Sequence, residues 1–359
     1  MMQEKDSIFD QMVARGHERL CFHQDPETGL NAIVAIHSTA LGNALGGTRR
    51  WYYKSEADAV YDVLRLSKGM TYKAAVSGLP MGGAKSVIMM PHRDTTRTEA
   101  EAKAMGRFVN TFNGTYIAAE DVGVNIEYID WMASETAHVM GGETVSRGGD
   151  PSPWTALGVF HGMRACLIHS GQGDDFSGKT VAVQGVGSVG QSLCKLLKEA
   201  GAHLIVADIN KKNLDFAVDT YGCTAIHDDD ILKTECDILA PCALGGVIDG
   251  IVVEHLRCPI VCGAANNILD DPEEDAVALK MAGIVYGTDF VVNAGGLIHL
   301  AGMHLGMCDS ELQTKNDEIF NTTQQLLQRS ENASSTYAAA VDIAKQRIAD
   351  GQETEVHAG

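Results

Sequence analysis

The apolar run Thr180–Gln184 (TVAVQ) leads directly into Gly185-Val186-Gly187-Ser188-Val189-Gly190, and the amphipathic stretch SVGQSLCKLLKEA follows at once. Strand, GxGxxG turn and helix in direct succession leave few architectures open. The glycines permit a tight turn and a close approach to the backbone. The helix start behind them offers unpaired N–H groups and the positive end of the helix dipole, which suits a pyrophosphate. His203–Ala207 (HLIVA) is the next apolar run, and Asp208 ends it, 23 residues after Gly185. A carboxylate at that spacing can accept hydrogen bonds from a ribose diol. Its charge would repel a 2′-phosphate, which favours NAD over NADP. The alternatives are a glycine turn that binds nothing and an Asp208 that only caps the next helix.

The same alternation continues along the chain. Helices are expected over Ser188–Ala200 and Lys211–Tyr221, with short strands at Asp237–Ala240, Pro259–Cys262 and Ile284–Tyr286. This pattern predicts an α/β fold whose parallel sheet is covered by helices, a doubly wound Rossmann domain. Before it, GGETVSRGGDPSP marks a loop or hinge, and a helix is expected from Trp154 to Ser170. The first third mixes strands and helices. Ala32–His37 (AIVAIH) reads as a buried strand. Ser55 caps a helix carrying Val60, Val63, Leu64 and Ser67 at helical spacing. Thr98 and Glu101 read as a capping box, and Asn125 as a further cap. The tail from Ser310 reads as helices, the last over Ala338–Ile348.

At 359 residues the chain is too long for one ordinary core, so two domains are expected. The boundaries are residues 1–145 for a substrate-binding and catalytic domain and 146–331 for the dinucleotide domain. The C-terminal helix, 332–359, is expected to return to the first domain. A net charge of −19 argues against nucleic acid or an anionic membrane as partner. The N-terminus lacks an apolar h-region, which predicts a cytoplasmic chain. The charge-free stretch Phe290–Cys308 holds Asn293, two histidines and four glycines, which suits buried backbone near a site better than a membrane span. Nine cysteines without a CxxC pair read as small buried hydrophobes, with neither a disulfide framework nor a metal site expected.

Two lysines have unusual neighbours. Lys73 lies in LSKGMTYKAA, beyond the expected helix end, and Lys85 in LPMGGAKSVIMM. A lysine among small and apolar residues loses hydration, so its neutral amine becomes accessible as a base or nucleophile. A surface lysine at a strand start is an equal reading of Lys85 from spacing alone. Glu120-Asp121 after TYIAA reads by itself more readily as a turn or cap.

Taken in order, GGTR, SKGMTYKAA, GLPMGGAKSVI, AEDVG, GDPSPWTALGV, VQGVGSVG, DILAPCALGG, GAANN and FVVNAGGLI closely resemble the glutamate/leucine/phenylalanine/valine dehydrogenase family, from about Gly16 to Ile348. The match is strongest to its shorter branch, the leucine and phenylalanine enzymes. The resemblance implies that Lys85 is the catalytic base, that Lys73 pairs with the substrate α-carboxylate, and that Asp121 transfers protons. It implies NAD-dependent reversible oxidative deamination of an L-amino acid to a 2-oxo acid and ammonia, in a homo-oligomer. Thr155, Asn266 and Asn293 match positions near the nicotinamide, its ribose or the substrate. Ala240, Cys242 and Ala243 would line the cofactor through their backbone.

The implied side-chain pocket comprises Leu45, Gly46, Ala119, Val291 and Leu297. No cation stands at Leu45 to receive a distal carboxylate, which speaks against glutamate. In similar enzymes Ala at the Ala119 position accompanies leucine, whereas Leu at the Leu297 position accompanies phenylalanine. The Ala119 methyl narrows the pocket directly, so a branched-chain substrate (leucine, also valine and isoleucine) is expected. An aromatic amino-acid dehydrogenase is the alternative, and an inactive nucleotide-binding homologue a remote one. Closure over the substrate is expected to turn at Gly148-Gly149.

Overall fold

The computed structural model describes residues 7–143 and 150–358. Gly148-Gly149, the expected hinge, lies outside them. The chain divides into two units: Met1–Gly149 with Leu300–Gly306 and Ala344–Gly359, and Asp150–His299 with Met307–Ile343.

The first unit runs α1 (Ile8–Arg15), β1 (Arg19–Asp25), β2 (Leu30–Ser38), β3 (Ala44–Trp51), α2 (Glu56–Val76), β4 (Gly82–Met89), α3 (Glu99–Asn110), β5 (Tyr116–Glu120) and α4 (Ile126–Ala133). Its sheet has the order β1-β2-β4-β3-β5. β2 pairs antiparallel with β1 and β4, while β3 runs parallel to β4 and β5. α2 packs its Ala59, Val60, Val63 and Leu64 on Ile33, Ala35 and Val87 of one sheet face. α3 and α4 cover the other face, around Tyr116, Ala118, Met105, Tyr128 and Met132. Each fully buried aliphatic side chain contributes about 1.5–3 kcal/mol. Ser55 and Asn125 cap α2 and α4 as expected, each accepting from a backbone N–H three residues on.

The capping box at Thr98 is only half made. The Thr98 hydroxyl accepts from Glu101 N, but the Glu101 carboxylate turns into the core and binds Arg50. A buried guanidinium is a stronger partner than an exposed N–H. Strands β1 and β3 were not anticipated. β1 is an edge strand with polar residues, and β3 is interrupted by Gly46-Gly47 and Arg49-Arg50, so neither carries a clear apolar pattern.

The second unit begins with α5 (Ser152–His169), β6 (Thr180–Gln184), α6 (Ser188–Glu199), β7 (His203–Ala207), α7 (Lys211–Tyr221), β8 (Thr224–Ala225) and β9 (Ile238–Pro241). It continues with α8 (Gly250–Val253), β10 (Ile260–Val261), α9 (Glu274–Met281), β11 (Val285–Tyr286) and α10 (Asp289–Val292). Helices α11 (Gly295–His304), α12 (Asp309–Ser330) and α13 (Thr336–Ala358) complete the chain. All neighbouring strands of its six-stranded sheet are parallel, in the order β11-β10-β9-β6-β7-β8. The chain order therefore reverses between β6 and β9, and such a switch point opens a crevice at the strand ends. One core lies around Val181, Val183, Leu193 and Ile238, a second around Ala182, Leu239, Val261 and Leu279, on opposite faces of the sheet. The nine cysteines are free thiols. Among the described residues, no helix is long and apolar enough to cross a membrane.

Candidate active site

The register of the first sheet brings the site together. Leu45 lies beside Gly83, Arg49 beside Val87, and Gly47 beside Ala119. Side chains alternate along a strand. Leu45, Arg49, Lys85 and Ala119 therefore share the face that carries Val87 and receives α2. Asp121 follows β5 on this same face. Lys85 Nζ lies 2.9 Å from Asp121 Oδ2, and Arg49 Nε reaches the same oxygen at 3.0 Å. Burial pushes the Asp121 carboxyl up, but the Lys85 ammonium and the Arg49 guanidinium outweigh it and hold the group at about 2. The folded value lies below the unfolded one, so the stabilisation is complete above the ordinary aspartate range and fades as pH falls through about 2.

Glycines make this contact possible. A Cβ on Gly47 would stand 2.8 Å from Asp121 Cβ and 3.0 Å from Lys85 Nζ. A side chain on Gly83 would collide with Thr71 of α2. Gly47 was not singled out from the sequence, although it stands in the GGTR segment. Gly46, expected in the pocket, projects to the opposite face, where the Ala84 carbonyl fills the space a Cβ would need.

Lys73 lies within the last turn of α2, not beyond the helix end, and is half-buried. The helix continues past it because Ser77 N and Oγ both donate to the Lys73 carbonyl, at 3.2 and 2.7 Å. Arg347 of α13 donates to the Ala75 and Val76 carbonyls and so completes the C-terminus of α2. No sequence signal connects Arg347 to a helix 271 residues earlier.

In the second unit the glycine turn sits at the switch point. Gly185 has φ 89°, a left-handed value, and a Cβ there would stand 2.7 Å from that of Ala243. A side chain on Gly190 would collide with the Gly185 carbonyl, whereas the space above Gly187 is open. Gly187 begins α6 with no side-chain cap, leaving the helix N–H groups to a ligand. Val186 is fully buried and Val189 packs on the core, while Ser188 is exposed. Asp208 Oδ2 accepts from Val186 N at 2.8 Å and Oδ1 from Asn210 N at 2.7 Å. It thus closes the turn as well as standing half-buried at the strand end. Ala240 lies next to the end of β9 with its side chain in the core. Cys242 N donates to the Gln184 carbonyl at 2.7 Å, so that N–H is committed to the fold. Burial pushes the Cys242 thiol up to about 12, which keeps it neutral.

Asn293 Nδ2 donates to Asn266 Oδ1 at 3.0 Å and to the Ala264 carbonyl at 3.1 Å. Thr155 Oγ1 stands 2.5 Å from where a Cβ on Gly296 would be, so Thr155 faces the start of α11. Val291 and Leu297 are buried in this unit, on α10 and α11. Asn293 Oδ1 and Gln184 Oε1 are buried without a hydrogen-bond partner among the described residues. Unpaired buried acceptors are costly and await donors. With the open space above Gly187 and the uncapped α6, these residues fit a dinucleotide with a carboxamide end.

A dinucleotide cradle on a doubly wound sheet, in a chain that also buries a lysine–carboxylate pair, defines a nicotinamide-dependent oxidoreductase. The family model described as "Glu/Leu/Phe/Val dehydrogenase, dimerisation domain" matches residues 17–138. The model described as "Glutamate/Leucine/Phenylalanine/Valine dehydrogenase" matches residues 206–355. The NAD-binding domain model of D-isomer specific 2-hydroxyacid dehydrogenases matches residues 165–244, the stretch holding the glycine turn. The chain is 45% identical to a leucine dehydrogenase of Thermoactinomyces intermedius, over 95% of this chain and 93% of that protein. It is 42% identical to a valine dehydrogenase of Streptomyces virginiae, over 94% and 95%. The crystal structure of L-tryptophan dehydrogenase from Nostoc punctiforme superposes with a TM-score of 0.84 at 34% identity, covering 96% of this chain and 99% of that one. The chain belongs to the glutamate/leucine/phenylalanine/valine dehydrogenase family.

Proposed function

We propose that the protein catalyses reversible oxidative deamination of branched-chain L-amino acids, leucine foremost, to the 2-oxo acid and ammonia with NAD. The observation that carries this reading is the buried Lys85–Asp121 pair in a chain 45% identical to a leucine dehydrogenase. The bound nicotinamide supplies one thing, acceptance of hydride from the substrate Cα, which leaves an iminium. The rest falls to side chains. The Lys73 ammonium pairs with the α-carboxylate, a charge-assisted contact in an otherwise acidic protein. Lys85, once it has released its proton, takes one from a water whose oxygen adds to the iminium carbon. The Asp121 carboxylate relays the proton that Lys85 has taken up to the nitrogen of the resulting carbinolamine; Lys85, neutral again, accepts the hydroxyl proton as the C–N bond breaks, and ammonia and the 2-oxo acid leave.

Within the first unit, Leu45 and Ala119 supply an apolar lining for the side chain, and neither could pair a distal carboxylate. A panel of amino acids with NAD tests the assignment through NADH formation. Leucine should lead, with valine and isoleucine within about 200-fold in kcat/KM, since a methylene is worth about 1–3 kcal/mol. Ala119→Gly should move the preference toward phenylalanine. If phenylalanine or tryptophan leads in the unaltered protein, the aromatic reading holds, which Leu297 and the likeness to an L-tryptophan dehydrogenase favour. Dinucleotide binding without turnover on any amino acid would point to an inactive homologue.

The choice of NAD rests on Asp208. Asp208→Asn keeps an acceptor for the turn but removes the charge. It should reduce the NADH-over-NADPH binding preference by about tenfold or more, measured by fluorescence titration. An unchanged ratio would show that Asp208 serves the turn alone. A homo-oligomer also belongs to this proposal. The first unit exposes Phe9 and Val13 of α1 and Phe22 of the edge strand β1, apolar surface that a second copy can cover.

A further inference from the structure

The Asp121 oxygen that holds Lys85 has a second cation on it. Arg49 Nε lies 3.0 Å from Asp121 Oδ2, and Arg49 Nη1 lies 2.9 Å from Asp62 Oδ2 on α2. Asp62 is itself shared: Tyr53 Oη donates to its Oδ2 at 2.8 Å, and Arg65 Nη2 reaches its Oδ1 at 3.0 Å. We infer that Arg49 is a positioning residue that sets how readily Lys85 releases its proton, through the carboxylate oxygen they share. The inference rests on Lys85 being the base.

The argument is electrostatic. A carboxylate contacted by one ammonium holds that proton firmly, because deprotonation would strand the anion in a buried place. Arg49 cannot lose its charge under these conditions. It stays on Oδ2 when Lys85 becomes neutral and keeps Asp121 compensated. Its positive charge close to Lys85 also disfavours the ammonium directly. Asp62 acts in the opposite sense, drawing on the Arg49 charge from the α2 side. The groups facing this cluster are Arg49 from β3, Lys85 from β4, Tyr53 from the segment before α2, and Asp62 and Arg65 from α2. Tyr116, whose hydroxyl is on the far face with Ser86 and the Gly46 carbonyl, adds a weak interaction with Asp121. Lys73, also on α2, is assigned to the substrate carboxylate. Burial and then Asp121 and Asp62 act on Arg49, with the two carboxylates raising it above its ordinary value.

Two variants with opposite expected signs test this. The readout is the acidic limb of kcat/KM for leucine against pH, where the rate rises as the base loses its proton. Arg49→Gln should move that limb to higher pH by about one unit, so that the rate below it falls about tenfold. Arg49→Lys, which keeps a cation, should leave it within a few tenths of a unit. Asp62→Asn should move it to lower pH, because Arg49 is then no longer shared. A uniform loss of rate in Arg49→Gln with an unmoved limb would make Arg49 structural only and overturn the inference. If Arg49→Gln does not fold, Asp62→Asn decides: a downward move supports the inference, and an unmoved or raised limb overturns it. Lys85→Ala separates the underlying reading. If that variant keeps both rate and limb, the base is elsewhere and the reading fails. If it loses turnover while the limb of Arg49→Gln stays in place, only the role of Arg49 fails.

Discussion

Lys85→Ala should lower kcat for leucine oxidation by about a thousandfold or more, while dinucleotide binding stays unchanged. Removal of a positioned base costs about 10²–10⁴ in rate. The upper part of that range is expected because Lys85 is the amine paired with Asp121 in the ion pairs of the described residues. Its other close cation is Arg49, which cannot act as a base. Lys85→Arg should not rescue turnover, since a guanidinium keeps the charge but not the accessible neutral form. Binding should survive because the glycine turn, Asp208 and Asn293 belong to the other unit. Steady-state rates alongside NADH titration separate these effects. A variant with more than a tenth of the normal kcat would remove Lys85 from the base role. Equal loss of rate and NADH affinity would point to a folding defect.

A comparable effect on stability is expected at Glu101. Arg50 and Glu101 form a buried two-point ion pair, Nε to Oε2 at 2.7 Å and Nη2 to Oε1 at 3.3 Å. Tyr128 Oη donates to Oε2 at 3.1 Å, and Arg50 also donates to the Thr95 and Thr96 carbonyls at 3.0 and 3.1 Å. Nearly all the hydrogen-bonding capacity of the guanidinium is used inside the unit. Glu101→Ala would leave that cation buried with only neutral partners. The expected cost is about 3–5 kcal/mol, because breaking one side of a buried pair strands a charge. Lys103→Ala is the matching control. Its pair with Glu99 is a solvent-screened surface contact one helical turn apart, and its loss should leave the urea midpoint close to that of the unaltered protein. Urea unfolding of both variants gives the comparison. A loss below about 1 kcal/mol in Glu101→Ala would mean that water or a rearranged carboxylate takes over the guanidinium.

Glu101 shows where sequence reading reaches its limit. Thr98 and Glu101 have the spacing of a capping box, and the Thr98 half forms. Local spacing does not reveal Arg50, 51 residues away, which outcompetes the local N–H. The second unit was far more legible. Its strands β6 and β7 and helix α7 have the expected bounds, and α6 differs by one residue at its end. In this half, apolar runs alternate with amphipathic ones, and each element repeats the signal of its neighbours. In the first unit, β3 carries glycines and arginines because it serves a buried ion pair on one face and Asp121 on the other. That use of the strand erases the apolar alternation by which a strand is recognised.

What the sequence determined by itself was the dinucleotide turn and the doubly wound unit around it, which follow from local periodicity and from a motif whose spacing reflects one turn and one strand end. Lys73, Lys85 and Asp121 stood out through the family resemblance, which implies their roles; spacing alone left Lys85 and Asp121 open. The tertiary structure alone decided that Arg49 shares the Asp121 oxygen, that Gly47 leaves room for the Lys85 ammonium, and that Gly46 faces away from Ala119. It also decided that Arg347 completes the helix carrying Lys73. Strand register and long-range packing set these contacts, and a register shift of one residue would place each side chain on the other face. Lysine chemistry was therefore visible in the chain, but the charge balance that governs it exists only once the strands are aligned.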